Sequence, residues 1–141
     1  MKKFYTLADS VIDTNDTDYL IDWLKSYPRL TKDKLTIEFE RQWARWVGTE
    51  YAVFCNSGSS ANLLMAYGAL ASGKLRNKKI IVPSVGWVTT IAPFMQFGFE
   101  PIMCGADKDN FGLNLGHLEK LLKQYRPAIV IMVQVLGVPS D

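Results

Sequence analysis

Histidine is almost missing from this 141-residue chain: His117 is the only one. One histidine cannot build a His-rich metal site. The two cysteines, Cys55 and Cys104, have no metal-ligand spacing and are too few for a disulfide framework. A Ser-His-Asp triad would have to use His117. No G-x-S-x-G elbow accompanies it, because Ser57-Gly58-Ser59-Ser60-Ala61 lacks the second glycine. Charge of one sign is also scarce. Sixteen basic residues against 14 acidic ones leave a net charge of +2. That balance argues against nucleic acid as a partner and excludes an acidic tail or a polybasic membrane anchor. No apolar run approaches the ~18 residues of a membrane helix. Met1-Lys2-Lys3-Phe4-Tyr5-Thr6 carries a basic pair with no apolar stretch behind it. A cytoplasmic protein with no nucleic-acid or membrane partner is the expectation.

Two nucleotide fingerprints are missing as well. No G-x-G-x-x-G follows any predicted strand. Gly68-Ala-Leu-Ala-Ser-Gly73-Lys74 has the spacing of a P-loop, but Leu75 stands where Ser or Thr is needed, and both glycines lie at the end of a predicted helix.

What is present is an ordinary globular composition, 48% hydrophobic and 21% charged, at the length of about one domain. Residues 1–50 read as helical. Leu20, Trp23, Leu24 and Tyr27 repeat at helical spacing, with Thr17 as a candidate cap and Pro28 as the stop. Leu35, Phe39, Trp43, Trp46 and Val47 form a second stripe closed by Gly48. These aromatics read as core. From residue 51 the pattern changes. Tyr51–Cys55, Lys79–Pro83, Phe99–Cys104 and Ala128–Val135 are apolar runs without alternation, as expected of strands covered on both faces. Helical segments at 60–72, 88–97 and 115–125 separate them, the first two closed by Gly73 and Gly98. Strand alternating with helix predicts an α/β domain with a mostly parallel sheet and flanking helices over 51–141. The last strand runs into Leu136-Gly-Val-Pro-Ser-Asp141, where Ser140 or Asp141 suits the cap of a further helix. The expectation is therefore the front part of a larger domain.

Two segments carry chemistry. Cys55-Asn56-Ser57-Gly58-Ser59-Ser60-Ala61-Asn62 follows a predicted strand and opens a predicted helix. Small residues let a ligand approach the backbone, and the first N–H groups of a helix lack partners and attract anions. This is either a phosphate cradle or a plain Ser/Gly turn capped by Asn56 or Ser57. Val82-Pro83-Ser84-Val85-Gly86-Trp87-Val88-Thr89-Thr90 leaves the carboxyl end of the next strand, where open α/β sheets bind ligands. Trp87 is either a stacking surface for a planar heterocycle or a buried core tryptophan. The basic run Lys74, Arg76, Lys78, Lys79 reads as a solvated loop. His117 reads as a helix-surface residue without a partner in sequence. Cys55 and Cys104 read as small buried residues ending strands.

Together these segments resemble the front half of the DegT/StrS group of fold-type I pyridoxal-phosphate enzymes, the sugar-nucleotide aminotransferases. The resemblance spans about Leu30 to Asp141. It rests on Phe39-Glu40, on Tyr51-Ala-Val followed by Ser57–Ala61, and on Val82-Pro83-Ser84 followed by Trp87-Val-Thr89-Thr90. Gln96-Phe-Gly98, Asp107 and Leu136-Gly137-Val-Pro139 complete it. It implies that Ser59 and Ser60 hold the phosphate of pyridoxal 5'-phosphate (PLP) with the Gly58 backbone close by, and that Trp87 stacks on the pyridine ring. It also implies a nucleotide-sugar substrate, an amino-acid donor and a homodimer. The wording is nearest to a branch that includes sugar 3-dehydratases. Gly105 stands where the family usually has an aspartate, and Lys32-Asp33-Lys34 stand where it often has a glycine. The family's pyridine-pairing aspartate and Schiff-base lysine fall beyond residue 141. The expectation is a partial PLP-binding domain, inactive alone, of an aminotransferase-like enzyme. A 3-dehydratase, a non-catalytic remnant of the family and an unrelated α/β phosphate binder are the alternatives.

Overall fold

The structure, a computed structural model, describes residues 10–140. Asp141, one of the two candidate caps, lies outside them. The chain divides into two compact units after Phe54.

The first unit contains helix α1 (Thr14–Lys25) and helix α2 (Lys34–Val47). Asp13, not Thr17, caps α1. Its carboxylate accepts from the Asn15 and Asp16 N–H groups, and the Asp16 carboxylate accepts in return from the Asp13 N–H. This reciprocal capping box satisfies donors that a threonine inside the first turn cannot reach. Thr17 instead donates its hydroxyl to the Asp13 carbonyl at 3.0 Å. Helix α2 ends at Gly48, which adopts φ 81° and bonds the Ala44 carbonyl, a left-handed closure that suits glycine. The expected aromatic core is not formed by α2. Phe39, Trp43 and Trp46 lie ring against ring, with centroids 6.1 and 5.2 Å apart, while only Ala44 of the helix is buried.

The second unit is built on a three-stranded parallel sheet in the order β2 (Glu100–Cys104), β1 (Lys79–Pro83), β3 (Ile129–Val130). Alternation along β1 sends Ile80 and Val82 to one face and Ile81 to the other. Ile80 and Val82 join Ala66, Phe94 and Phe99. Ile81 joins Cys104, Leu113 and Leu121. Helix α3 (Gly58–Ala71) and the short helix α4 (Ala92–Gln96) supply the first cluster, and helix α5 (Leu115–Tyr125) supplies the second. The α/β class and the parallel sheet are as expected.

Three expected elements differ. Residues 51–55 form no strand among the described residues. The run Ala128–Val135 is a strand only at Ile129–Val130. The Ile131 N–H still bonds the Ile81 carbonyl at 2.9 Å, but the next rung would need an N–H from Pro83, which has none. The expected helix over 88–97 is split into a 3-10 turn (Val88–Thr90) and α4, with Pro93 at the start of α4.

Candidate phosphate turn and stacking loop

Helix α3 opens on a turn that ties itself. Ser57 is its N-cap, and the Ser57 hydroxyl accepts from the Ser60 N–H at 3.1 Å. That hydroxyl donates to the Ser60 oxygen at 3.2 Å, and the Ser60 hydroxyl donates to Asn56 Oδ1 at 2.7 Å. The Ser60 hydroxyl thus helps to shape the turn. Gly58 and Ser59 differ from it. They are the first helical residues, both exposed, and their N–H groups have no acceptor inside the helix. Among the described residues nothing bonds the Ser59 hydroxyl. A Cβ built on Gly58 would meet nothing within 4 Å, so open space lies beside its backbone. No acidic side chain stands in the first turn to oppose an anion.

Trp87 lies beyond the carboxyl end of β1. It is the residue before the 3-10 turn, and its carbonyl accepts from the Thr90 N–H at 3.0 Å. Its side chain is 69% exposed, which rules out the core reading. Thr90, three residues on, is buried and anchors the loop. One bond joins the two segments: Asn62 Nδ2, on α3, donates to the Thr89 carbonyl at 2.8 Å. The turn holding Gly58, Ser59 and Ser60 and the loop holding Trp87 are thus neighbours in one unit. Asn62 was not assigned a role from sequence. Its signal was an amide standing alone in an otherwise apolar stretch of helix.

The remaining candidates are structural. His117 does have a partner: its Nδ1 accepts from the Gly105 N–H at 2.9 Å. Cys104 is buried at the end of β2, and burial pushes its thiol pKa up. Cys55 is half-buried and ends no strand. The basic run is not merely solvated. Arg76 donates to the Pro127 carbonyl at 2.7 Å and Lys78 to the Phe97 carbonyl at 3.1 Å, binding the loop to its own unit. In the first unit, Lys32, Asp33 and Lys34 line a cleft of about 700 Å³ with Trp23, Arg29 and Phe54. Among the described residues no three His, Cys, Asp or Glu side chains cluster to hold a metal, and no helix is long and apolar enough to cross a membrane.

Known proteins resemble this chain. The description DegT/DnrJ/EryC1/StrS aminotransferase family fits residues 11–141. GDP-4-keto-6-deoxy-D-mannose 3-dehydratase of Escherichia coli O55:H7 is 33% identical over 97% of this chain and 36% of that protein. GDP-perosamine synthase of Caulobacter vibrioides is 27% identical over 89% of this chain and 33% of that protein. Among solved structures, the E. coli GDP-4-keto-6-deoxy-D-mannose-3-dehydratase with bound hydrated PLP superposes with a TM-score of 0.75 at 29% identity. That match covers 98% of this chain and 36% of the other. Helicobacter pylori PseC, an aminotransferase of pseudoaminic acid biosynthesis, shares the fold with a TM-score of 0.81 at 23% identity, over 99% of this chain and 36% of its own. The chain spans about a third of the length of these relatives. The unrelated phosphate binder is thereby set aside: the chain belongs to the DegT/DnrJ/EryC1/StrS aminotransferase family.

Proposed function

We propose that this chain forms the phosphate and ring end of a PLP site in an enzyme acting on nucleotide-linked keto-sugars. The observation that carries this reading is the Asn62–Thr89 bond, which sets an open helix N-terminus beside an exposed tryptophan at the carboxyl end of the central strand. The residues fit the group. A phosphate needs donors without competing acid, and the Gly58 and Ser59 N–H groups with the Ser59 hydroxyl offer them. Ser60 adds its hydroxyl by rotating away from Asn56. Trp87 offers a flat face to a pyridine ring. PLP, when bound, supplies an electron sink for bonds at the substrate carbon.

The reaction we favour moves an amino group from an amino-acid donor to the keto-sugar, in a homodimer. A second reading, removal of the sugar 3-hydroxyl, is favoured by the relatives at 33% and 34% identity, both named 3-dehydratases. Titration of the chain with PLP, followed by cofactor absorbance, tests the site. Trp87→Ala is expected to weaken binding about 2- to 10-fold, the worth of one aromatic stack. Ser59→Ala is expected to weaken it about 10-fold or more, the worth of a hydrogen bond to a charged group. Parent affinity in both variants would overturn the reading. A polypeptide carrying this chain, given PLP, glutamate and a GDP-linked 4-keto-6-deoxy sugar, then separates the chemistries. An amino sugar is the first outcome and loss of the 3-hydroxyl the second, while no turnover leaves the remnant.

A further inference from the structure

Asn62 is costly where it stands. It is half-buried between Ala61 and Leu63 in an apolar helix, and asparagine is a poorer helix former than its neighbours. Its amide reaches 27 positions along the chain to the Thr89 carbonyl. That carbonyl has a specific need. In a continuing α-helix it would accept from the N–H four residues later, but the residue there is Pro93, which has none. The helix breaks at this point into the 3-10 turn and α4. A part-buried carbonyl left without a donor is destabilising, and the Asn62 amide supplies one. The same bond pins the middle of the 3-10 turn whose first carbonyl belongs to Trp87.

We infer that Asn62 is a positioning residue: its Nδ2–H stands in for the N–H that Pro93 lacks, and so holds the Trp87 loop against the helix that carries the Ser59 turn. The inference rests on the PLP reading for its purpose, but not for its geometry. Asn62 touches no reacting atom in this account and acts through Trp87.

The test replaces the four tryptophans with 5-fluorotryptophan and reads the Trp87 resonance by fluorine NMR, assigned by its loss in Trp87→Phe. Asn62→Leu suits an apolar, half-buried helical site, so the chain should fold. It is expected to shift and broaden the Trp87 line while Trp23, Trp43 and Trp46 stay where they are. Adding Pro93→Ala to Asn62→Leu returns a donor to the Thr89 carbonyl and is expected to move the line back toward the parent. PLP affinity should fall in Asn62→Leu by the same 2- to 10-fold as in Trp87→Ala, with no further loss when the two are combined, while affinity for inorganic phosphate stays at the parent value. A Trp87 line that ignores Asn62→Leu, or losses of PLP affinity that add, would overturn the inference. If PLP leaves the parent Trp87 line unmoved while Asn62→Leu still disturbs it, the PLP reading fails and the tether stands.

Discussion

Lys79–Pro83 and Tyr51–Cys55 are apolar runs of equal length and opposite fate. The first is β1, with strands on both sides and Ile80, Ile81 and Val82 wholly buried. The second forms no strand, and its Tyr51, Val53 and Phe54 are 77%, 71% and 58% exposed. Composition does not separate them. Partners do: β1 meets backbone on both edges and side-chain clusters on both faces, whereas the earlier run shows, among the described residues, one long-range backbone bond, from the Phe54 N–H to the Glu40 carboxylate at 2.9 Å. An unpaired strand carries the entropy cost of order without the ladder that offsets it.

The largest test of this contrast is a pair of truncations. Ile81→Ala should cost about 2–5 kcal/mol, because it opens a cavity against Cys104, Leu113 and Leu121. Val53→Ala should stay within about 0.5 kcal/mol, as exposed substitutions do. Urea unfolding measures both, and equal losses would break the comparison. A smaller effect concerns how the chain is held after β3 ends. A Cβ on Gly112 would lie 2.5 Å from the Ser140 Cβ, so the segment after β3 rests on the turn after β2. Gly112→Ala should therefore cost about 1–3 kcal/mol. In a Ser140→Gly background most of that cost should disappear, and an unchanged cost would show that the contact is not what holds the segment.

Much of the fold was legible because local chemistry and tertiary demand agree there. Helices α2, α3 and α5 follow their apolar stripes or small-residue runs, and Gly48 after α2 and Gly73 after α3 take the positive φ that suits a helix end. β1 reads as a strand because it is covered on both faces, whereas β2 is buried only at Cys104. The candidate site could be located in outline, since small residues after a run and a tryptophan after a strand are local signals. What could not be read was pairwise. Nothing in Tyr51–Cys55 says whether another backbone lies alongside. Pro83 was visible, but its power to stop the β1–β3 ladder depends on register. Asn62 was visible too, yet its meaning comes from a carbonyl 27 positions away. Ser60 read as a phosphate donor by type, while its hydroxyl is occupied by Asn56 within the turn.

The finest test reaches the long-range backbone bond of the unpaired run. Glu40 accepts from Lys32 Nζ at 2.8 and 2.9 Å and from the Phe54 N–H. The Lys32 ammonium first, and the Phe54 amide second, hold its carboxyl below the usual carboxylate range. A carboxyl lowered on folding stabilises fully above its unfolded pKa, about 4.3 for glutamate, and the contribution is lost as pH falls through the lower folded value. Protection of the Phe54 amide from hydrogen exchange, corrected for intrinsic rates, should therefore hold at neutral pH and fall in acid below that range. Glu40→Gln removes the titration, so its protection should be weaker at neutral pH and nearly flat with pH. Amides in β1, which depend on no carboxylate, should show neither change. If Phe54 kept its protection in acid, or if Glu40→Gln reproduced the parent profile, the run would be held by something other than this carboxylate. The contrast with β1 would then need a partner not yet identified.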